Sequence, residues 1–203
     1  MKIREGTYDD YILKEINRTY GWLNVTDRTV LDIGACFGAA AVFFADKGAK
    51  EVISYEPEPD NFALLSINTK EYASISLVNA AVSSENGELS FFVNENGINK
   101  GTHTIRPTRG RKEVKVEAVS FKEQLDKFKP EVLKIDCEGG EYVFLTEALP
   151  DYVKEVCLEI HRTNPEYREK AFDLVKLFSD WECVKQPKLE GGHWATIGGW
   201  RRP

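Results

Sequence analysis

Thr29-Val30-Leu31-Asp32-Ile33-Gly34-Ala35-Cys36-Phe37-Gly38-Ala39-Ala40-Ala41-Val42-Phe43-Phe44 begins as a short apolar run and ends as an alanine-rich helical pattern. Asp32, Gly34 and Gly38 sit between the two halves. This is the pattern of a strand, a tight glycine turn and a helix start. At such a turn, backbone N–H groups at a helix N-terminus can receive a small ligand.

On the N-terminal side, Thr7-Tyr8-Asp9-Asp10 has the form of a capping box with aspartate in place of glutamate. Tyr8, Ile12, Ile16 and Tyr20 recur at helical spacing, which predicts a helix ended by Gly21. Residues 1–28 are therefore read as a helical cap that packs on the domain or lids its pocket. On the C-terminal side, Val52 to Tyr55 is a second strand that delivers Glu56, with Pro57 ending it. Glu58-Pro59 opens a second helix, where the missing proline N–H costs nothing. Ile75 to Val82 reads as a third strand. Strands alternating with helices imply a parallel sheet with helices on both faces.

From Glu88 the rhythm becomes alternation, first at Leu89, Phe91 and Val93, then at Val114, Val116 and Ala118. Between them lies Asn94 to Lys112, rich in Gly, Asn, Thr and Arg; loops this long inside a compact domain usually serve function. Ser120 caps a short helix through Phe128. Val132 to Asp136 is another strand, followed by Cys137-Glu138-Gly139-Gly140-Glu141 and a helix to about Ala148. Val153 to Ile160 is a further strand. Asn164-Pro165 starts the last helix, with Tyr167, Ala171, Leu174, Val175 and Phe178 on its buried face. Two strands, Trp181 to Lys185 and Trp194 to Trp200, close the chain. With no internal repeat and no linker, residues 29–203 read as one α/β domain.

The 203 residues are 42% hydrophobic and 30% charged, the balance of a soluble globular protein. No apolar run has transmembrane length, so no membrane partner is expected. The polar N-terminus points to a cytoplasmic address. A net charge of −6 argues against a whole-surface nucleic-acid footprint. Cys36, Cys137, Cys157 and Cys183 form neither a C-x-x-C pair nor a zinc-finger spacing, and read as reduced thiols.

In open α/β sheets ligands bind at the carboxyl ends of strands, where Asp32, Gly34, Glu56, Asn79, Asp136 and Glu159 fall. Glu56 follows the glycine turn at the interval of a carboxylate that grips a ribose. A dinucleotide fingerprint would want glycine at positions 34, 36 and 39, yet Cys36 and Ala39 stand at the last two. The missing second glycine is the one that admits a pyrophosphate, and no Walker lysine is present. An adenosine ligand without phosphates fits better, and S-adenosylmethionine is such a ligand. Asp32 would hold its ammonium, and the N–H groups of Gly34, Ala35, Cys36, Phe37 and Gly38 its carboxylate. Glu56 and Pro57 would meet the ribose. Asn79 would read the adenine edge, with Ala80 and Ala81 leaving room for the ring.

Val30 to Gly38, Tyr55-Glu56-Pro57 and Asn79-Ala80-Ala81-Val82 resemble the cofactor motifs of class I methyltransferases. Leu133-Lys134-Ile135-Asp136-Cys137-Glu138-Gly139-Gly140-Glu141 is similar to the K-I-D-x-E-G-x-E segment of the FkbM-type methyltransferase family. Leu158-Glu159-Ile160-His161 resembles that family's E-x-H segment. The likeness runs from about Val30 to His161. It implies a Rossmann-like, doubly wound, mostly parallel seven-stranded sheet with an antiparallel last strand. It also implies O-methylation of a hydroxyl on a small molecule, a sugar or secondary metabolite. Ser120-Phe121 departs from the threonine–leucine–aspartate run that many members carry.

Methyl transfer from a sulfonium is an in-line displacement that needs alignment and, for a hydroxyl acceptor, a base. Asp136, Glu138, Glu159 and His161 form the candidate catalytic set, converging from two neighbouring strand ends. Asp136 would face cofactor and substrate, and Glu138 or His161 would be the base. Glu141 suits either this site or the first turn of a helix. No metal is assigned, although the same cluster could hold a divalent cation that binds substrate oxygens. His103 is a loop histidine or, with Gly101 and Thr102, a substrate clamp. Arg106, Arg109, Arg111, Lys112 and Lys115 form a basic 106–115 run, usually a solvated face. Two alternatives stay open: an RNA methyltransferase using that run, and a cofactor-binding module without transfer activity.

Overall fold

A computed structural model of the chain describes residues 1–94, 103–105, 107 and 109–203. Gly101, Thr102, Arg106 and most of the Asn94–Lys112 loop lie outside the described residues. Along the chain come α1 (Asp9–Tyr20), β1 (Thr29–Ile33), α2 (Ala39–Asp46), β2 (Glu51–Tyr55), α3 (Pro59–Thr69) and β3 (Ile75–Val78). They are followed by β4 (Ala81–Ser83), β5 (Gly87–Val93), β6 (Lys112–Ser120), α4 (Phe121–Phe128) and β7 (Val132–Ile135). The remainder is α5 (Glu141–Phe144), β8 (Glu155–His161), α6 (Pro165–Lys176), β9 (Glu182–Lys185) and β10 (Ala195–Arg201).

Seven strands form the main sheet in the order β3-β2-β1-β7-β8-β10-β9. Its members run parallel except β10, which is antiparallel to both neighbours. The strand order reverses between β1 and β7, and that switch point is where such sheets open a ligand crevice. β1 and β7 are buried along their whole length because both faces are covered. Alternate side chains go to opposite cores. Leu31, Ile33, Ile53, Leu133, Ile135 and Leu158 pack with Phe121, Leu125, Ala171 and Leu174 on one face. Val30, Val52, Val132 and Cys157 pack with Ala40, Ala41 and Phe44 on the other. α1 lies on this second side, its Tyr20 ring edge-on to Phe44 at 5.6 Å.

Three local expectations are corrected. The run Ile75 to Val82 is two strands, not one. β3 ends at Val78, where the last sheet bond is Glu56 N–H to Val78 O, because Pro57 follows and can donate nothing. β4 then joins β6 in a separate three-stranded sheet, order β4-β6-β5. The helix after Gly140 stops at Phe144 rather than Ala148, since Leu145 (ψ 73°) leaves the helical region and enters the core. The capping box does not close either. Tyr8 takes the N-cap position, Thr7 Oγ1 accepts from Asp9 N–H at 3.3 Å, and the Asp9 carboxylate turns to Arg4.

Candidate active site

A cavity of about 400 Å³ opens at the carboxyl ends of β1, β2, β7 and β8. Nine sequence-predicted residues line it: Gly34, Cys36, Glu56, Pro57, Ala80, Ala81, Asp136, Glu138 and Glu159. Asp32, Ala35, Phe37, Gly38, Asn79 and His161 are not on its wall.

The first end is built at the glycine turn. Gly34 has φ +81°, and a Cβ there would collide with the Asp136 carbonyl oxygen. Only glycine lets β1 and β7 release their ligand-facing turns this close together. The turn's N–H groups are used within the protein. Gly34 and Ala35 donate to Tyr55 O at 3.0 and 2.9 Å, and Gly38 donates to Ala35 O. Cys36 N–H donates to Glu56 Oε2 at 2.8 Å. Glu56 Oε1 accepts from Glu58 N–H at 2.9 Å. Burial pushes the Glu56 carboxyl up to about 7 despite these donors.

Asp32 also turns away from the cavity. The register sets it opposite Lys134, and Lys134 Nζ lies 3.0 Å from Asp32 Oδ1, both side chains buried. Ser54 Oγ donates to the other oxygen at 3.2 Å. The expected ammonium ligand is thus a partner of the sheet's own lysine, because a buried lysine without a carboxylate would be far costlier. Asn79 is likewise engaged, its Nδ2 donating to Glu56 O at 2.7 Å and Pro57 O at 3.3 Å. Phe37 packs against α1, beside Ile12, Leu13 and Ile16. A Cβ on Gly38 would meet Leu65 of α3.

At the other end, Asp136, Glu138 and Glu159 meet around His161. Glu138 has a left-handed backbone (φ +53°), as does Cys36 (φ +51°). Strain of this kind gathers at sites that must hold a side chain in one place. Thr104 Oγ1 donates to Glu138 O at 2.9 Å and helps fix that turn. His161 is buried behind Glu138, with Nε2 at 3.4 Å from Glu138 Oε2 and Nδ1 at 3.2 Å from Glu141 Oε1. Glu141 Oε1 also accepts from His161 N–H at 2.8 Å, and Oε2 from Gly139 N–H at 2.9 Å. Burial alone would lower the His161 imidazolium, but Glu141 and then Glu138 and Glu159 outweigh it and push it up to about 10. Burial raises Glu138 to about 7, with His161 opposing and Asp136 assisting. Glu159 is raised chiefly by the adjacent Asp136 carboxylate, then by burial.

Several lining residues escaped the sequence reading. Tyr8 at the N-cap of α1, Tyr11 and Ile12 within it, Phe91 and Ile105 from the small sheet's side, and Trp194 from the segment before β10 reach the cavity. Tyr8, Tyr11 and Trp194 are each more than half exposed, an unusual state for aromatic side chains in one neighbourhood. Their signal was only the helical spacing of Tyr8 and Ile12. His103 is not a solvated loop histidine. It lines the cavity while buried, Nδ1 accepting from Asn94 N–H at 3.0 Å. Arg106 lies outside the described residues, and of the described ones Arg109, Arg111, Lys112 and Lys115 do not line the cavity. Lys115 Nζ donates to Ser90 Oγ at 3.0 Å on the small sheet, while Arg111 lies in the field of Glu138.

The family described as the methyltransferase FkbM domain matches residues 32–184 of the chain. No curated protein matches it significantly. Among solved structures, the fold is similar to that of an FkbM methyltransferase from Methylobacillus flagellatus KT, with TM-score 0.55 and 15% identity. That alignment covers 93% of this chain and 47% of the other, so the chain spans about half the length of that protein. A precorrin-6y C5,15-methyltransferase from Geobacter metallireducens GS-15 aligns with TM-score 0.52 and 13% identity, over 100% of this chain and 94% of its own. A putative RNA methyltransferase from Pyrococcus horikoshii aligns with TM-score 0.51 and 14% identity, over 93% and 81%. At these identities the likeness is one of fold. Among the described residues, no helix is long and apolar enough to cross a membrane.

Proposed function

Since the chain belongs to the FkbM methyltransferase domain family, we propose that it methylates a hydroxyl oxygen of a small molecule, a sugar or secondary metabolite, with S-adenosylmethionine as donor. The observation that carries this reading is Glu138. It lines the same cavity as Glu56, is 17% exposed, and has its carboxyl pushed up to about 7. A carboxylate tuned to neutrality at the far end of a nucleoside-sized pocket is suited to take a hydroxyl proton.

The residues present fit the donor. Glu56 offers carboxylate oxygens at the end of β2, suited to a ribose diol. Ile33, Tyr55, Ala80 and Val82 give an apolar wall for a flat ring. Gly34, Ala35, Cys36 and Gly38 spend their N–H groups inside the protein, so these four receive neither a phosphate nor the donor's carboxylate that the glycine turn was expected to hold. S-adenosylmethionine supplies a methyl group on a sulfonium, an electrophile ready for displacement. Asp136, on the wall beside Gly34, stands between the two ends. Glu138 accepts the acceptor's hydroxyl proton. The adjacent Asp136 carboxylate pushes the Glu159 carboxyl up, so the two share the crowded negative charge of the junction. His161 does not touch the cavity; it is a positioning residue that holds Glu138 from behind while Glu141 fixes its ring. α1 acts as the cap, with Tyr8, Tyr11 and Ile12 excluding water from the donor end.

Calorimetry with S-adenosylhomocysteine tests the donor assignment. Saturable binding that weakens in Glu56→Ala is expected, and unchanged affinity overturns the placement. Methyl-transfer assays across hydroxylated sugars and secondary metabolites test the acceptor class. Nucleoside binding with no turnover on any of them would favour a binding module.

A further inference from the structure

β7 and β8 run parallel, with Ile135 paired to Leu158. Continuing that register by one residue sets Asp136 beside Glu159, and two residues further along β8 the same face carries His161. One donor atom from each of the three lies within 4.8 Å of the others. Small side-chain rotations bring such a set around one ion at about 2.0–2.3 Å from each donor.

Carboxylates gather at strand ends for many reasons, and the imidazole is what distinguishes this cluster. His161 is 1% exposed, and its Nε2 has no hydrogen-bond partner among the described residues. It points toward the cluster, 3.4 Å from Glu138 Oε2. The opposite ring nitrogen is held by Glu141, which is fully buried and fixed by the backbone N–H groups of Gly139 and His161. A carboxylate on Nδ1 sets the ring plane and presents Nε2 to the cluster beside Glu138, where a bound ion would take the place of its proton. Histidines that ligate metals are supported in this way. Asp136 and Glu159 open onto the cavity, whereas His161 closes the site from behind.

We propose that Asp136, Glu159 and His161 Nε2 bind a divalent cation that takes mixed oxygen and imidazole donors, at the acceptor end of the cavity. Mixed carboxylate–imidazole sets suit the manganese-to-zinc series better than calcium. A cation there would bring positive charge to a place where the Asp136, Glu138 and Glu159 carboxylates gather around the imidazole. Its remaining positions face the cavity, where oxygens of the acceptor coordinate within reach of Glu138. That role toward the acceptor rests on the methyltransferase reading; the ion site itself does not.

Mn²⁺ alone, added to the full chain and followed by electron paramagnetic resonance, tests the site. One saturable site per chain is expected, with nitrogen coupling from an imidazole in the pulsed spectrum. Asp136→Asn and Glu159→Gln each weaken binding at least about tenfold, the range seen when one metal ligand or its support is lost. His161→Gln abolishes the nitrogen coupling. Glu71→Gln, an exposed carboxylate at 81% side-chain accessibility, leaves binding unchanged. Absence of saturable Mn²⁺ binding overturns the proposal, as does binding without nitrogen coupling. Should His161→Gln not fold by circular dichroism, unchanged affinity in both Asp136→Asn and Glu159→Gln overturns it instead. Calorimetry with S-adenosylhomocysteine on the same samples separates the two readings. Nucleoside binding without Mn²⁺ binding removes the ion and leaves the methyltransferase; Mn²⁺ binding without nucleoside binding does the reverse.

Discussion

The two ends of the cavity are made from the same kind of strand tip and treat their charges in opposite ways. At β1 and β2 the charged side chains and most of the turn's N–H groups have partners in the protein. Asp32 is paired with Lys134, Glu56 accepts from Cys36 and Glu58, and the turn N–H groups of Gly34 and Ala35 go to Tyr55. At β7 and β8 the carboxylates of Asp136, Glu138, Glu141 and Glu159 crowd one imidazole, one ring nitrogen of which has no hydrogen-bond partner among the described residues. The first end has its charges paired, whereas the second gathers like charges side by side. The proposed methyl transfer would use this division, because a donor must be held in one pose while the acceptor must lose a proton.

The largest effect expected from breaking the contrast is at Glu138. Glu138→Gln keeps the shape of that end but removes the proposed base, and should lower kcat by about 10²–10⁴-fold. S-adenosylhomocysteine affinity by calorimetry should change by no more than about twofold, within the usual reach of a distant substitution. A parallel loss of affinity would mean that the two ends are not separable.

Next comes the buried pair that anchors the donor end. Lys134→Met strands the Asp32 carboxylate in the sheet and should cost about 3–5 kcal/mol in denaturant unfolding. The double change Asp32→Leu with Lys134→Met should recover most of that loss, since a matched apolar pair needs no compensation. Equal instability of the single and double variants would show that the pair does more than balance charge.

Glu56 gives a pH signature. Burial holds its carboxyl near 7 in the folded chain, against the ordinary glutamate value of 4.5. Between these values the folded chain keeps a proton that the unfolded chain has lost, so stability falls as pH rises through the window. The loss should approach about 3 kcal/mol, at about 1.4 kcal/mol for each pH unit that separates the folded and unfolded values. Glu138 and Glu159 slope the same way, so the difference between wild type and Glu56→Gln isolates the effect. A difference that is flat from pH 4.5 to 7 would refute the burial argument.

The smallest effect is Glu56→Ala on donor affinity, a weakening of about 10- to 100-fold, the worth of one or two hydrogen bonds to a charged group.

Much of this was legible from residues. The apolar runs at Val30 and Val132, the glycine turn and the proline-led helices fixed the main sheet, because a strand buried on both faces has few other solutions. Glu56, Asp136 and Glu138, read from positions at or just past strand ends, line the cavity. Partners across the sheet were harder. Asp32 looked like a ligand because it precedes the turn, yet Lys134 carries the signal that corrects this. A lysine inside the run Val132-Leu133-Lys134-Ile135 must be buried, and a buried lysine demands a carboxylate at its own level on the next strand. The small sheet was missed because Ile75 to Val82 is mostly apolar with no proline or glycine to break it, and only the end of β2 makes the chain leave β3. The aromatic rim was missed because Tyr8, Tyr11 and Trp194 come from opposite ends of the chain, and their meeting is a product of the fold.

The Asp32–Lys134 pair sets a rule for exchanging segments among chains of this architecture. β1 and β7 contribute one charge each to a contact sealed from water, although about a hundred residues of sequence separate them. A chimera that imports another β7 to alter acceptor preference must import its β1 as well, or match the opposing residue. Among the described residues, the turn after Asp136 and the small sheet form no ion pair with β1, but Thr104, bridged to Phe92 of β5, donates to Glu138 O. These two parts are the ones to exchange together when new acceptors are sought.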